Sequence, residues 1–387
     1  MQIREQINQL LAQDINQVLS KQQSMFDNLV GNDYPDFVVF GSGYLGKKVI
    51  KGLKKLGIQP LAIADNNQKL WHTSIEGIIV LSPQEAVNKF GQKAVFVIAI
   101  YNTSAPRQQL TELNCHKFIS YAYLFSKYAE IFLPHACLDF PYQMYQQAED
   151  VYKALDLWAD EASRQQYLAQ LRWRLFLDFD QAKPISTSLK EREYFPLNTY
   201  SELSGEVFVD CGAFNGDTIQ RFLSLRNHTF KNIIGIEPDP VNFQNLQNYV
   251  STLQYQNEIT LLQAAVSSQA GKLNFDVTGS AASSISDQGT IEVNCISLDD
   301  AIADYKPTLI KMDLEGFELE AITGAKNIIS QGKTVLAITV YHCQDHLWRI
   351  PLLINSYSSN YRFFLIPHAE DCWDISCYAV PIERLLS

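Results

Sequence analysis

The feature that most constrains this chain is an alternation that occurs twice. Short, near-continuous apolar runs are separated by stretches with helical spacing. The first series runs through 37–40 (FVVF), 60–64 (PLAIA), 77–80 (GIIV) and 94–100 (AVFVIAI), with helical stretches near 44–56, 83–90 and 105–113. Runs that are apolar at every position suit a parallel sheet covered by helices on both faces, whereas a half-exposed sheet needs every second position polar. The second series comprises 206–210 (EVFVD), 232–236 (NIIGI), 259–266 (ITLLQAAV), 307–312 (PTLIKM), 334–340 (TVLAITV), 361–366 (YRFFLI) and 375–380 (ISCYAV). The stretch 271–296 breaks that rhythm and reads as a hairpin insertion, and Ser297-Leu-Asp-Asp300 carries a helix-capping signal.

Between the two series the character changes. Apolar residues three and four apart predict helices over 142–179, Pro184 to Ser188 reads as a loop, and 194–200, which contains Pro196, should be extended or turned. Residues 1–30 read as one helix whose stripe of Ile3, Ile7, Leu10, Leu11, Ile15, Val18 and Leu19 packs on its own domain or on a second copy, which leaves room for a homo-oligomer. The expected fold is therefore α/β, with two Rossmann-like parallel-sheet domains joined by a helical segment. Its parts are an N-terminal helix (1–30), a small nucleotide-binding-type domain (31–125), a helical linker or lid (126–200) and a larger domain (201–387). A hydrophobic fraction of 47% over 387 residues is enough for two separate cores.

Composition removes several functional classes. A net charge of −11 with no run of Lys and Arg argues against nucleic acid as a partner. No apolar run reaches about 18 residues, so no membrane span is expected, and the N-terminus lacks an apolar signal core. Seven cysteines, an odd number, read as reduced thiols of a cytoplasmic protein. Cys372 and Cys377 are the closest pair and lack the further ligands that a zinc site needs.

The chemistry concentrates in the second series. Its first strand runs into Val209-Asp210-Cys211-Gly212-Ala213-Phe214-Asn215-Gly216-Asp217-Thr218, an acid followed by a glycine-bearing turn and a helix. Glycine lets the backbone approach a ligand, and a helix start offers free N–H groups to a carboxylate. Asp210 can meet an amine of the same ligand. The next strand ends in Glu237-Pro238, and an acid there can accept both hydroxyls of a ribose. The implied ligand has a ribose, a carboxylate and an amine and needs no phosphate, and S-adenosylmethionine fits. The expected cofactor-binding set is Asp210, Gly212, Ala213, Asn215, Gly216, Asp217, Glu237 and Pro238. Ala265 and Val266 join it, since their position suits the adenine as well as plain strand core. Seven strands ending in a hairpin fit a methyltransferase sheet better than a dehydrogenase sheet.

These residues carry a resemblance. From about 206 to 380 the chain resembles the FkbM family of methyltransferases, in VDCGAFNGDT (209–218), IEPDPVNF (236–243), AAVSS (264–268), SLDD (297–300), IKMDLEGFELEAITGA (310–325) and, less specifically, YH-x4-LW-x2-PLL (341–353). The resemblance implies S-adenosylmethionine-dependent methylation of a hydroxyl in the cytoplasm, on a sugar-containing or natural-product acceptor. The first loop departs from the common Gly-x-Gly-x-Gly pattern at Ala213 and Asn215.

Methylating a hydroxyl requires a group to take its proton. Lys311, Asp313 and Glu315 end the fourth strand of this series and His342 ends the fifth. His342, with an ordinary pKa near 6.5, is the expected base. Asp313 and Glu315 complete the expected catalytic set, and His346 and His368 are weaker rivals. No resident metal is expected, although two carboxylates and an imidazole permit a divalent ion. In the first series, Gly41-Ser-Gly43-Tyr-Leu-Gly46 follows a strand and opens a helix, and Asp65 ends the next strand. That is the setting of a dinucleotide fingerprint. Gly41, Gly43, Gly46 and Asp65 are thus expected to bind a nucleotide or nucleotide-sugar, unless the glycines serve packing alone. Tyr101-Asn102-Thr103 is placed to line the same cleft or to form a loop. Two other readings stay open: a ligand-sensing scaffold without catalysis, and an NAD-dependent oxidoreductase working through the first domain.

Overall fold

The computed structural model describes residues 2–31, 36–178, 190–276, 284–285, 289, 291–369 and 373–386. Pro184 to Ser188 and Cys372 lie outside them. The first series folds as a six-stranded sheet of β1 (Phe37–Phe40), β2 (Ala62–Ala64), β3 (Ser74–Ile75), β4 (Ile78–Leu81), β5 (Val95–Ile98) and β6 (Phe118–Ser120), in the order β3-β4-β2-β1-β5-β6. All neighbours are parallel except the short edge pair β3–β4. Helices Tyr44–Lys55, Pro83–Phe90 and Ser104–Glu112 alternate with these strands.

The second series forms a seven-stranded sheet. Its strands are β7 (Val207–Cys211), β8 (Asn232–Ile236), β9 (Ile259–Leu262), β14 (Leu309–Met312), β15 (Val335–Thr339), β16 (Tyr361–Pro367) and β17 (Ile375–Pro381), ordered β16-β17-β15-β14-β7-β8-β9. Only β17 runs against its neighbours. This is a Rossmann-like methyltransferase sheet. The strand order reverses between β7 and β14, because the chain leaves β7 toward β8 and β9 and returns to β14 on the other side. Ligands of open α/β sheets sit beyond the strand ends at such a reversal.

Three expectations change here. The apolar run 259–266 is two strands: β9 ends at Leu262, and Ala265–Val266 (β10) leaves for a separate sheet. That four-stranded sheet, ordered β10-β13-β11-β12, also contains β11 (Gly271–Asp276), β12 (Ser284–Ile285) and β13 (Ile291–Ile296). The insertion is thus more than a hairpin. Residues 1–30 are likewise two helices, Ile3–Leu11 and Ile15–Val30. Asp14 starts the second by accepting N–H bonds from Asn16 and Gln17, the local competition with a continuous helix that Asp offers at a cap.

The stripe on these helices serves two cores. Ile3, Ile7, Leu10 and Val18 pack with Met144, Val151, Trp158 and one face of the seven-stranded sheet, while Phe26 packs under the six-stranded sheet with Trp173 and Trp373. The connecting helices Tyr142–Gln146, Ala148–Leu157 and Glu161–Phe176 belong to the same two cores. Of this stripe Ile3, Ile7, Leu10 and Val18 are buried within the chain, while Leu11, Ile15 and Leu19 are half-buried. No helix among the described residues is long and apolar enough to cross a membrane.

Candidate active site

The strand reversal opens into a cleft. One wall starts where β7 ends. Gly212 has φ +79, and a Cβ there would lie 2.1 Å from the Asp313 carbonyl oxygen, so only glycine lets this turn cross the end of β14. The N–H groups of Gly212 and Ala213 both donate to the Ile236 carbonyl, which ties the turn to the end of β8. Gly216, at φ +91, opens helix Asp217–Leu225. A Cβ there would lie 2.6 Å from Tyr249.

Glu237 follows β8 and is 5% exposed. Its Oε2 accepts from Phe214 N–H and its Oε1 from Asp239 N–H, both at 2.9 Å. Burial raises its pKa to about 7, against the opposing pull of those two N–H donors. Each oxygen keeps a lone pair for a further donor.

Of the residues expected to hold the cofactor, Gly212, Asp217, Glu237, Pro238, Ala265 and Val266 line the cleft. Asp210 stands elsewhere. It is fully buried beneath the turn, with Oδ1 3.1 Å from Lys311 Nζ. Lys311 is its register partner on β14 and also donates to the carbonyls of Gly212 (2.7 Å) and Cys211 (3.3 Å). An ammonium already meets this carboxylate, so it supports the turn and does not face a ligand amine. Burial raises Asp210 to about 6, with Lys311 opposing the rise. Ala213 is buried, Asn215 accepts from Asp217 N–H at 3.3 Å as a local cap, and Gly216 makes the turn, so these three shape the loop.

The opposite wall holds the expected catalytic set. Because β14 and β15 are parallel neighbours, their ends bring Asp313, Glu315 and His342 together. His342 Nε2 lies 3.4 Å from Asp313 Oδ1 and 3.8 Å from Glu315 Oε2. Glu315 sits at φ +51 and Gly316 at φ +107, a left-handed turn that directs the Glu315 carboxylate back to this point. Asp313 and Glu315 line the cleft, with His342 behind them.

Sequence reasoning assigned no role to Glu318, the last acid of the Lys-x-Asp-x-Glu-Gly-x-Glu pattern. It is fully buried, and its Oε1 lies 2.7 Å from His342 Nδ1 and accepts from Leu314 N–H (2.9 Å) and the Thr339 hydroxyl (3.1 Å). Its Oε2 lies 3.1 Å from His346 Nδ1. Burial would raise Glu318, but His342 and His346 outweigh it and hold this carboxyl well below its usual range. His342 changes in step. Burial alone would lower it, yet Glu318 and Glu315 lift it to about 10. With no cation among them, three carboxylates converging on one imidazole hold its proton more tightly than in the ordinary histidine read from sequence. His346 is raised to about 9, with burial opposing the Cys343 and Glu318 contacts. His368 Nε2 lies 2.8 Å from the Tyr378 hydroxyl, on the strand hairpin away from this cluster.

Three further lining residues come from distant segments that no local pattern marks, Glu193, Tyr194 and Asp374, and Tyr341 joins them from beside His342. The Tyr194 hydroxyl donates to Asp313 Oδ2 at 2.8 Å, and Arg221 pairs with Glu193 at 2.9 Å.

In the N-terminal unit Gly41, Gly43, Gly46 and Asp65 do meet, but largely among themselves. Asp65 Oδ2 accepts from the Ser42 N–H (2.8 Å) and hydroxyl (2.6 Å), and Oδ1 accepts from Asn67 N–H (2.8 Å). A Cβ on Gly46 would lie 2.0 Å from the Gly41 carbonyl oxygen, and Gly41 has φ +103. Those contacts explain the carboxylate and two of the three glycines by chain packing. Tyr101 stacks on His135 and packs against Trp373, so the end of β5 abuts the larger domain.

Comparison with known proteins fits this geometry. Residues 210–366 match the family described as the methyltransferase FkbM domain. The crystal structure of methyltransferase FkbM from Methylobacillus flagellatus KT superposes with a TM-score of 0.70 at 20% identity, over 95% of this chain and all of that one, which extends the shared fold to the N-terminal unit. Among curated proteins, hexuronic acid methyltransferase AglP of Haloferax volcanii is 27% identical over 114 residues, 28% of this chain. The matched part spans about half of that relative's length (47%).

Proposed function

We propose that the chain is an S-adenosylmethionine-dependent O-methyltransferase acting on a hydroxyl of a sugar-containing acceptor, with hexuronic acids the first class to test. One observation carries this reading. A buried carboxylate, Glu237, flanks the Gly212 turn on one wall of a cleft whose other wall presents Asp313 and Glu315. The residues fit the cofactor: Glu237 has lone pairs for two ribose hydroxyls, the loop around Gly212 and Asp217 offers backbone to the methionine end, and Ala265, Val266 and Phe275 offer an apolar wall to the adenine. When bound, the cofactor supplies a methyl group on a sulfonium that needs no activation to leave. The chain's own residues must then position the acceptor and receive its proton. Asp313 and Glu315 face the cleft and do both, while His342, anchored by Glu318, holds the pair in place from behind. The partial likeness to a hexuronic acid methyltransferase supports the choice of acceptor class.

The test is methyl-labelled cofactor incubated with hexuronic acids and neutral sugars, with labelled product and S-adenosylhomocysteine both measured. Transfer to a sugar hydroxyl is expected. A wild-type protein that fails to bind the cofactor refutes the reading. One that binds it and turns over no acceptor favours a ligand-sensing role. For the N-terminal unit, the contacts around Asp65 and Gly46 support a packing role ahead of nucleotide or nicotinamide binding.

A further inference from the structure

On the acceptor wall, His342 has an orphaned ring nitrogen. Its Nδ1 is engaged with Glu318, but Nε2 is buried, makes no hydrogen bond, and points at two carboxylates 3.4 and 3.8 Å away. A buried polar atom left unpaired is costly, and two carboxylates converging with little solvent repel one another. Both costs vanish if one cation sits among the three groups. We infer that Asp313, Glu315 and His342 form a binding site for a divalent cation, with Glu318 as the positioning residue that fixes the imidazole. This inference rests on the proposed function only for what the cation does, not for whether it binds.

The geometry suits an ion. One ligand atom from each residue lies within 4.8 Å of the other two, the span that bonds of about 2.1–2.4 Å can bridge. A histidine that ligates a metal through one ring nitrogen almost always donates the other to a carboxylate or carbonyl, which fixes ring and tautomer. Glu318 at 2.7 Å from Nδ1 is that partner, and it is held in turn by Leu314 N–H and Thr339. Charge agrees as well. Binding at Nε2 displaces the proton that His342 otherwise holds, and with His346 beside Glu318 and Lys311 beside Asp210, the Asp313 and Glu315 carboxylates, each deprotonated on binding, balance the dication. Two oxygens and one imidazole nitrogen suit a hard or borderline ion such as Mn²⁺ or Mg²⁺ better than a thiophilic one. Since both carboxylates line the cleft, the open coordination positions face the acceptor. Two neighbouring oxygens of a sugar, either a vicinal diol or a carboxylate with its adjacent hydroxyl, would fill them. This reverses the expectation from sequence that no metal resides here.

The experiment uses the full chain, stripped with chelator and titrated with Mn²⁺. Free ion is followed by electron paramagnetic resonance, and cofactor affinity is measured on the same samples. One site per chain is expected, with a Kd below about 100 µM. Glu315→Gln and Asp313→Asn should each weaken it at least tenfold, and Glu318→Gln by about 10–100-fold. Bound Mn²⁺ in the wild type should show nitrogen coupling from the His342 imidazole, a reading that needs no variant to fold. Absence of a tight site, absence of nitrogen coupling, or unchanged affinity in folded Glu315→Gln and Asp313→Asn overturns the inference. If the cofactor binds while Mn²⁺ does not, the metal site falls and the methyltransferase reading stands. If Mn²⁺ binds while the cofactor does not, the outcome is the opposite.

Discussion

Ribose recognition at Glu237 should make cofactor affinity depend on pH in a calculable way. With a pKa of about 7 in the free protein, roughly one-tenth of Glu237 is ionised at pH 6 and nine-tenths at pH 8. Only the carboxylate can accept both ribose hydroxyls while also accepting from Phe214 and Asp239, so the ligand selects the ionised form. Affinity is then nearly full at pH 8 and lost as the pH falls through 7, by about tenfold between pH 8 and pH 6, or about 1.4 kcal/mol. S-adenosylmethionine is an ambiguous probe, since an α-amino group titrates at about 7.7–8.0. 5′-Methylthioadenosine, which lacks that end, isolates the ribose. Glu237→Gln is a better perturbation than alanine. It keeps an acceptor for one of the two backbone N–H groups, whereas alanine orphans both. It replaces charge-assisted bonds worth about 1.5–3 kcal/mol each, so affinity at pH 8 should fall at least tenfold and its pH dependence should flatten. Calorimetric titrations of both proteins at pH 6, 7 and 8 decide the matter. A wild-type affinity that is flat across this range, or a slope that survives in Glu237→Gln, would refute the reasoning.

Lys311→Met leaves the fully buried Asp210 unpaired and should cost about 3–5 kcal/mol in urea denaturation at neutral pH. Adding Asp210→Asn should recover much of that loss, and a single variant as stable as wild type would contradict the pairing. In the N-terminal unit, Gly46→Ala drives a Cβ to 2.0 Å from the Gly41 carbonyl oxygen and should lower the melting temperature, at about 1–3 kcal/mol. Gly43→Ala meets nothing within 4 Å and should melt close to wild type. The reverse order would discredit the packing account, and a nucleotide that stabilises wild type but not Gly43→Val would restore the binding one.

Much of the fold was legible because it is local. The strands of the six- and seven-stranded sheets longer than three residues sit in largely apolar runs that need no knowledge of their neighbours. Glycines at 212 and 216 announce a turn that other residues resist. The ends of β7, β8, β14 and β15 could also be named as the site, since a parallel sheet puts the chemistry of successive strands on one rim. Where periodicity failed, a local alternative or a distant partner won. Asp14 capped a second helix inside an unbroken apolar stripe, and Ala265–Val266 left β9 because β13 offered it a pairing edge.

The sequence by itself determined which elements form, where the turns must be glycine, and which acids and histidines stand at strand ends. Tertiary structure decided what those groups are. Asp210 reads as a ligand contact until register places Lys311 beside it. His342 reads as a free base until Glu318, Glu315 and Asp313 close around it and raise its proton affinity. Tyr194 and Asp374 join the cleft from far along the chain. The reason is physical: secondary structure follows from contacts within a few residues. The charge state of a buried group instead follows from desolvation and from charges a few ångströms away, and those neighbours are brought together only when the sheet is assembled.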